Sequence, residues 1–170
     1  IQSVDDNITV GVKQIYQGAW NPVAGLSDTY STQIWFTLFD PSIMGHPFSG
    51  EAFPIRTTWE IETNGPHSTI NVPSDAIIWD LESKSWKEVG HNTFAITKAV
   101  FDLKFSEWHH GQKMDMNDIL YSTYFLLEWG SEKDENDKTF DSDYSPQAAQ
   151  TAKTLVGIKP IDNDTIEVYT

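Results

Sequence analysis

The chain has no cysteine, only eleven basic residues and no apolar run long enough to cross a bilayer. The missing cysteines exclude disulfides and thiolate metal sites, and they fit a compartment in which free thiols are a liability. The scarcity of Lys and Arg, set against twenty-five acids and a net charge of −14, excludes a nucleic-acid partner, because phosphate binding needs a local basic surface. An acidic balance suits solubility outside the cell and mildly favours cationic ligands. The 170 residues begin at Ile1 with no charged, apolar, small-residue leader. The expectation is a processed or trimmed chain whose membrane association, if any, runs through an anchor missing from this sequence.

What is abundant is aromatic: seven Trp, six Tyr and nine Phe, enough to fill a core and also to line a pocket. The most informative stretch runs from Phe101 to Trp129. Phe101, Leu103 and Phe105 alternate with Asp102, Lys104 and Ser106, the period of a strand with one buried face. Trp108-His109-His110-Gly111 follows as a turn, with Gly111 free to take the positive φ that reverses the chain. Asp115 then caps a helix over 115–129, with Asp118 three residues on beside the positive end of the helix dipole. Leu120, Tyr124 and Leu127 continue one buried face, flanked by Ile119, Thr123 and Leu126, until Gly130 breaks the pattern. Trp108 is expected as a lid packed over the small sheet.

Elsewhere, Ile8, Val10 and Val12 predict an opening strand, and Ser27 a cap for a helix carrying Tyr30, Ile34, Trp35 and Leu38. Residues 42–58, punctuated by Gly45, Pro47, Gly50 and Pro54, predict a loop. Residues 59–63 predict a short strand, and 77–81 with 85–89 a hairpin across Glu82-Ser83-Lys84. An acid-rich loop over 131–143 precedes Ser145-Pro146, which predicts a cap and first turn for a helix over 147–155. The last strands form a hairpin turned at Asp162-Asn163-Asp164. The fold class is therefore α+β, a mixed and largely antiparallel sheet with a few packed helices.

The order strand, Trp-His-x-Gly turn and acid-started helix is similar to the signature of the family 5 extracytoplasmic solute-binding proteins, the peptide, nickel and oligosaccharide receptors of ABC importers. The matching residues are Phe101, Leu103, Lys104, Trp108, His109, Gly111, Met114, Asp115, Asp118 and Ile119. Asn21-Pro22 and Leu38-Phe39-Asp40-Pro41 stand where the family carries its early dipeptide and its Asp-Pro element, and Asp164-Thr165-Ile166 where it carries a late hairpin. The family's Leu-Ala-x-Ser text before the signature strand has no counterpart. The resemblance implies residues 1–41 as the start of a ligand-binding lobe and 42–170 as a small α+β lobe. Since the family's chains are several times longer, it implies an N-terminal portion of a receptor that delivers a peptide or oligosaccharide solute to ABC transporter permease subunits. Its place would be extracytoplasmic, with no cofactor and no enzymatic activity. By position Tyr16, Gln17, Trp20 and Asn21 would line the ligand cleft, the rings stacking and the amides hydrogen-bonding a peptide-like backbone.

Other chemistry finds little footing. His109 and His110, adjacent in a turn, point apart, and His46, His67 and His91 complete no zinc spacing. The acids from Asp134 to Asp143 fail the EF-hand order, with Lys138 and Thr139 where a ligand and glycine belong. Glu60 and Glu62 could flank a glycosidic bond but are expected to face water. No nucleophile elbow or phosphate loop is present. The rival reading is an aromatic-rich carbohydrate-binding module with Trp35, Trp79 and Trp86 as a stacking platform, and a third is a structural or interaction domain.

Overall fold

A computed structural model describes residues 2–4, 7–9, 11, 20–21, 25–26, 29–32, 41–65 and 69–170. The chain divides into two units, Ile1–Pro41 and Ser42–Thr170. In the first, β1 (Gln2–Val4) pairs antiparallel with β2 (Asn7–Thr9), and β3 (Trp20–Asn21) with β4 (Gly25–Leu26). Residues 29–32 are helical. Of the expected opening strand, Ile8 lies in β2 while Val10 and Val12 fall outside the described residues, as do Ile34, Trp35 and Leu38 of the expected helix.

The second unit is built on six antiparallel strands. These are β7 (Thr57–Thr63), β9 (Ile77–Asp80), β10 (Ser85–Glu88), β12 (Thr97–Leu103), β13 (Gly157–Pro160) and β14 (Thr165–Tyr169), in the order β10-β9-β13-β14-β12-β7. The expected α+β class is the observed one. β12 is paired on both edges through its backbone: Phe101 lies opposite Trp59 of the edge strand β7 and opposite Ile166 of β14. The half-buried, exposed alternation continues past the strand's end through Phe105. β13 and β14 form the expected hairpin, whose turn Asp162 folds by accepting from the Asp164 and Thr165 amides at 3.1 and 2.8 Å. A two-stranded ribbon, β8 (Ile70–Asn71) with β11 (Phe94–Ala95), caps one sheet face.

The helices are α1 (Met116–Trp129) and α2 (Ser145–Thr154). Residue period two gives each sheet face its own set of side chains. On one face Ile70, Val72, Ala76, Ala95 and Tyr169 make a core under the ribbon. The other face, which includes Ile158 and Ile166, looks toward α1 and α2. The helices meet closely where Gly130 ends α1: a Cβ built there would collide with the Ala148 methyl and come within 2.8 Å of the Leu126 carbonyl and 2.9 Å of that of Tyr144. Phe125 stacks on Trp129 with centroids 5.0 Å apart and meets Tyr144 edge-on at 5.4 Å.

Four expectations need correction. Residues 42–58 are not a loop: β5 (Ile43–Gly45) and β6 (Ala52–Pro54) form a hairpin, and β7 begins at Thr57. Every residue of both hairpin strands is exposed, so no buried face exists to impose alternation, and Pro47 and Gly50 belong to its connecting turn. Leu127 is buried at 4% exposure, but Leu120 is only half-buried, because the space beside it is open. Ser145 is the first helical residue rather than the cap; Tyr144 stands at that position and makes no side-chain capping bond. Trp108 is 41% exposed and is no core lid.

Candidate functional site

The signature stretch folds as a reversal fastened at three levels. A bridge joins Glu107 to Lys113, the Trp108 amide donates to the Gln112 carbonyl at 2.8 Å, and the Gly111 amide donates to the Trp108 carbonyl at 2.8 Å. Gly111 sits at φ +86°, where a side chain would be strained. The exit is locked by a capping box: Asp115 accepts from the Asn117 amide at 2.8 Å, and Asp118 accepts from the Asp115 amide at 2.9 Å. Asp118 also accepts from the Trp108 indole at 3.4 Å, so the exposed ring clips the turn to the helix start instead of filling a core. Ser106 ties the strand side, accepting from Arg56 at 2.9 Å, and its carbonyl accepts from the Met114 amide at 2.9 Å.

A second constellation joins the far end of α1 to the β9–β10 hairpin. Glu128 is 2% exposed, and its carboxylate accepts from the Trp79 indole at 3.1 Å and from Lys133 at 2.8 Å, with Lys84 at 3.4 Å. Burial pushes its carboxyl up, but the hydrogen bonds from Lys133 and Trp79 outweigh that and hold it below the usual carboxylate value. Trp79 is meanwhile enclosed by rings, edge-on to Trp86 at 5.5 Å and to Tyr124 at 4.5 Å. Trp79 and Trp86 are cross-strand partners, half-buried and at 76°, so they make no coplanar stacking surface. Sequence reasoning missed Glu128. The available signal was its place four residues after Tyr124 on the buried stripe of α1.

Between the sheet and both helices lies a cavity of about 510 Å³. Phe101, Leu103, Ile166 and Val168 form its sheet wall, Ile119 and Leu120 its α1 wall, and Leu155 stands at the end of α2. Among the described residues no charged side chain lines it. Several of its hydroxyls already donate to backbone carbonyls: Thr57 to Asp102 at 2.9 Å, Ser122 to Ile119 at 2.8 Å and Thr154 to Gln150 at 3.1 Å.

Of the residues nominated for a ligand cleft, Tyr16 and Gln17 lie outside the described residues, and Trp20 and Asn21 lie in β3, where the backbone alone is described. His109 and His110 are exposed at the turn, and the His110 ring meets Gln112 at 3.2 Å. The His46 Nδ1 accepts from the Ser49 amide at 3.2 Å, while His67 lies outside the described residues. Among the described residues no group of three His, Asp or Glu is placed to hold a metal. The acid-rich loop spends its carboxylates on its own turns: Asp134 accepts from the Asn136 amide, Asp137 from the Thr139 amide and hydroxyl, and Asp141 from the Asp143 amide. Glu60 and Glu62 are exposed, and Glu62 pairs with Lys98 at 3.2 Å. Among the described residues no helix is long and apolar enough to cross a membrane. No protein-family model and no curated protein matches this chain.

Proposed function

We propose that this chain is the N-terminal portion of an extracytoplasmic solute-binding protein that delivers peptides or similar solutes to an ABC transporter. The observation that carries the reading is the signature stretch itself: an amphipathic strand, a Trp-His-His-Gly turn with Gly111 at φ +86°, and a helix closed by the Asp115–Asp118 capping box, in that order. A second motif supports it. Asp164-Thr165-Ile166, some sixty residues downstream, enters the strand that pairs directly with the signature strand, Thr165 opposite Asp102 and Ile166 opposite Phe101. Motifs that share a family pattern and also share a sheet are mutually consistent.

On this reading the second unit supports a ligand cleft without forming it, the partners are the solute and the permease subunits, and the protein works outside the cytoplasm without catalysing a reaction. The edge-on, half-buried packing of Trp79 and Trp86 weighs against the sugar-platform alternative. A two-lobed receptor gains affinity by enclosing its ligand from both sides. Calorimetric titration of the 170-residue chain with mixed oligopeptides and oligosaccharides is therefore expected to give weak or undetectable heat, while a longer parent binds its solute. Micromolar or tighter binding of either class by this chain alone would replace the receptor portion with a self-contained binding module.

A further inference from the structure

We infer that Asn64 is a self-modifying site: its side-chain amide cyclises onto the Gly65 backbone nitrogen, and the ring opens in water to an aspartyl or isoaspartyl residue. The inference does not rest on the receptor reading, because it uses a single turn of the Ser42–Thr170 unit. The Gly65 nitrogen gives up its proton to hydroxide and bonds to the Asn64 side-chain carbonyl carbon. The carbon–nitrogen bond of the side-chain amide breaks, and its nitrogen leaves as ammonia with a proton taken from water, which regenerates hydroxide. Water then adds to either carbonyl of the five-membered imide, so water is the only other reactant consumed. The product carries a new carboxylate two residues from Glu62 and makes the net charge of −14 more negative by one unit.

Ring closure needs an exposed amide, an unhindered approach and an attacking nitrogen that nothing else holds. Asn64 is exposed and lies just past the end of β7, outside any strand or helix. Gly65 has no side chain to obstruct the approach, sits at φ +74°, and a Cβ built on it would meet nothing within 4 Å. No carbonyl among the described residues accepts from its amide. The contact it makes is with the Thr63 hydroxyl at 3.5 Å, well beyond the spacing of about 3.0 Å of a firm N–H···O bond. The other exposed asparagines fail on the same geometry. The nitrogen after Asn71 donates to the Thr93 carbonyl at 2.9 Å, that after Asn117 to the Asp115 carbonyl at 3.1 Å, and that after Asn136 to the Asp134 carbonyl at 3.1 Å. The nitrogen after Asn163 donates to the Asp162 carboxylate at 3.1 Å. Asn92 precedes Thr93, whose branched Cβ crowds the approach. Asn64 alone among these has both a free nitrogen and a glycine after it.

The test is peptide mapping of the full chain kept folded in mildly alkaline buffer, read by mass spectrometry and by enzymatic methylation of isoaspartate. Asn64 is expected to deamidate about tenfold or more faster than Asn136 or Asn163, and to give both aspartyl and isoaspartyl products. Urea frees the Asp137 and Asp164 nitrogens, so the rates at Asn136 and Asn163 should rise there, while that at Asn64 changes by less than about threefold. Gly65→Ala places a methyl beside the attacking nitrogen and should slow the reaction about tenfold or more. Asn64→Gln, which disfavours the five-membered ring, should remove the product from this peptide. Circular dichroism checks that both variants fold. Equal rates at Asn64, Asn136 and Asn163 in the folded chain, an acceleration of Asn64 in urea as large as theirs, an unchanged rate in a folded Gly65→Ala, or aspartyl product without isoaspartyl would each overturn the assignment. None of those results bears on the receptor reading.

Discussion

Replacing Glu128 with Ala should be among the most damaging single changes in the second unit. The carboxylate is 2% exposed and accepts from Trp79 and Lys133, so its removal strands an enclosed indole N–H and an ammonium that is itself only 21% exposed. Breaking a buried pair by deleting one member costs about 3–5 kcal/mol, and an unsatisfied buried donor about 1–3 kcal/mol. Lys133 can recover part of its hydration, which places the expected loss near the bottom of the larger range, about 3 kcal/mol. Glu128→Gln retains shape and an acceptor for Trp79 and should cost less, about 1–2 kcal/mol. Urea denaturation followed by Trp emission measures both. The pH dependence adds a sign. The Glu128 carboxyl is held below its ordinary value of 4.5 in the folded state, so its contribution is complete above that value and is lost as pH falls through the lower folded value. The gap between the native chain and Glu128→Gln should therefore be constant through neutral pH and narrow only in acid. A loss below about 1 kcal/mol for Glu128→Ala, the range of a surface ion pair, would refute the reasoning.

Leu127→Ala should cost about 2–5 kcal/mol in the same assay, and a near-neutral result would make α1 peripheral. Gly130→Ala should cost about 1–3 kcal/mol by overpacking against Ala148, whereas Gly111→Ala meets no neighbour and should cost about 1–2 kcal/mol from backbone strain alone. Equal melting curves for native chain and Gly130→Ala would contradict the close helix contact. Zinc or nickel should leave the melting temperature unchanged. A stabilisation that vanishes in His109→Ala would instead establish a metal site in the turn.

What was legible in the sequence is what local chemistry decides. The capping box, the positive φ at Gly111 and the turn at Asp162 each rest on residues within a few positions of one another, and each stands where the pattern placed it. Alternation revealed the end of β12, where Phe101 and Leu103 are half-buried and Asp102 is exposed, and the lack of any such contrast hid β5 and β6, whose residues are all exposed. Glu128 was passed over for a different reason, despite its place on the buried stripe of α1. A carboxylate near a helix end reads as solvated until the hairpin carrying Trp79 and Lys84, more than forty positions earlier, is folded over it. The cavity likewise depends on the spacing of two helices from a sheet, which no single stretch encodes. Trp108 was expected as a lid over the small sheet, whereas its indole donates to Asp118, ten residues on, and the ring is 41% exposed.

The receptor reading is tested most directly by sequencing the locus that encodes this chain. The account predicts a reading frame that continues beyond Thr170 into a second lobe, beside genes for a membrane permease and an ATP-binding subunit. A frame that encodes the chain as a self-contained protein, with no transporter genes alongside, would contradict it.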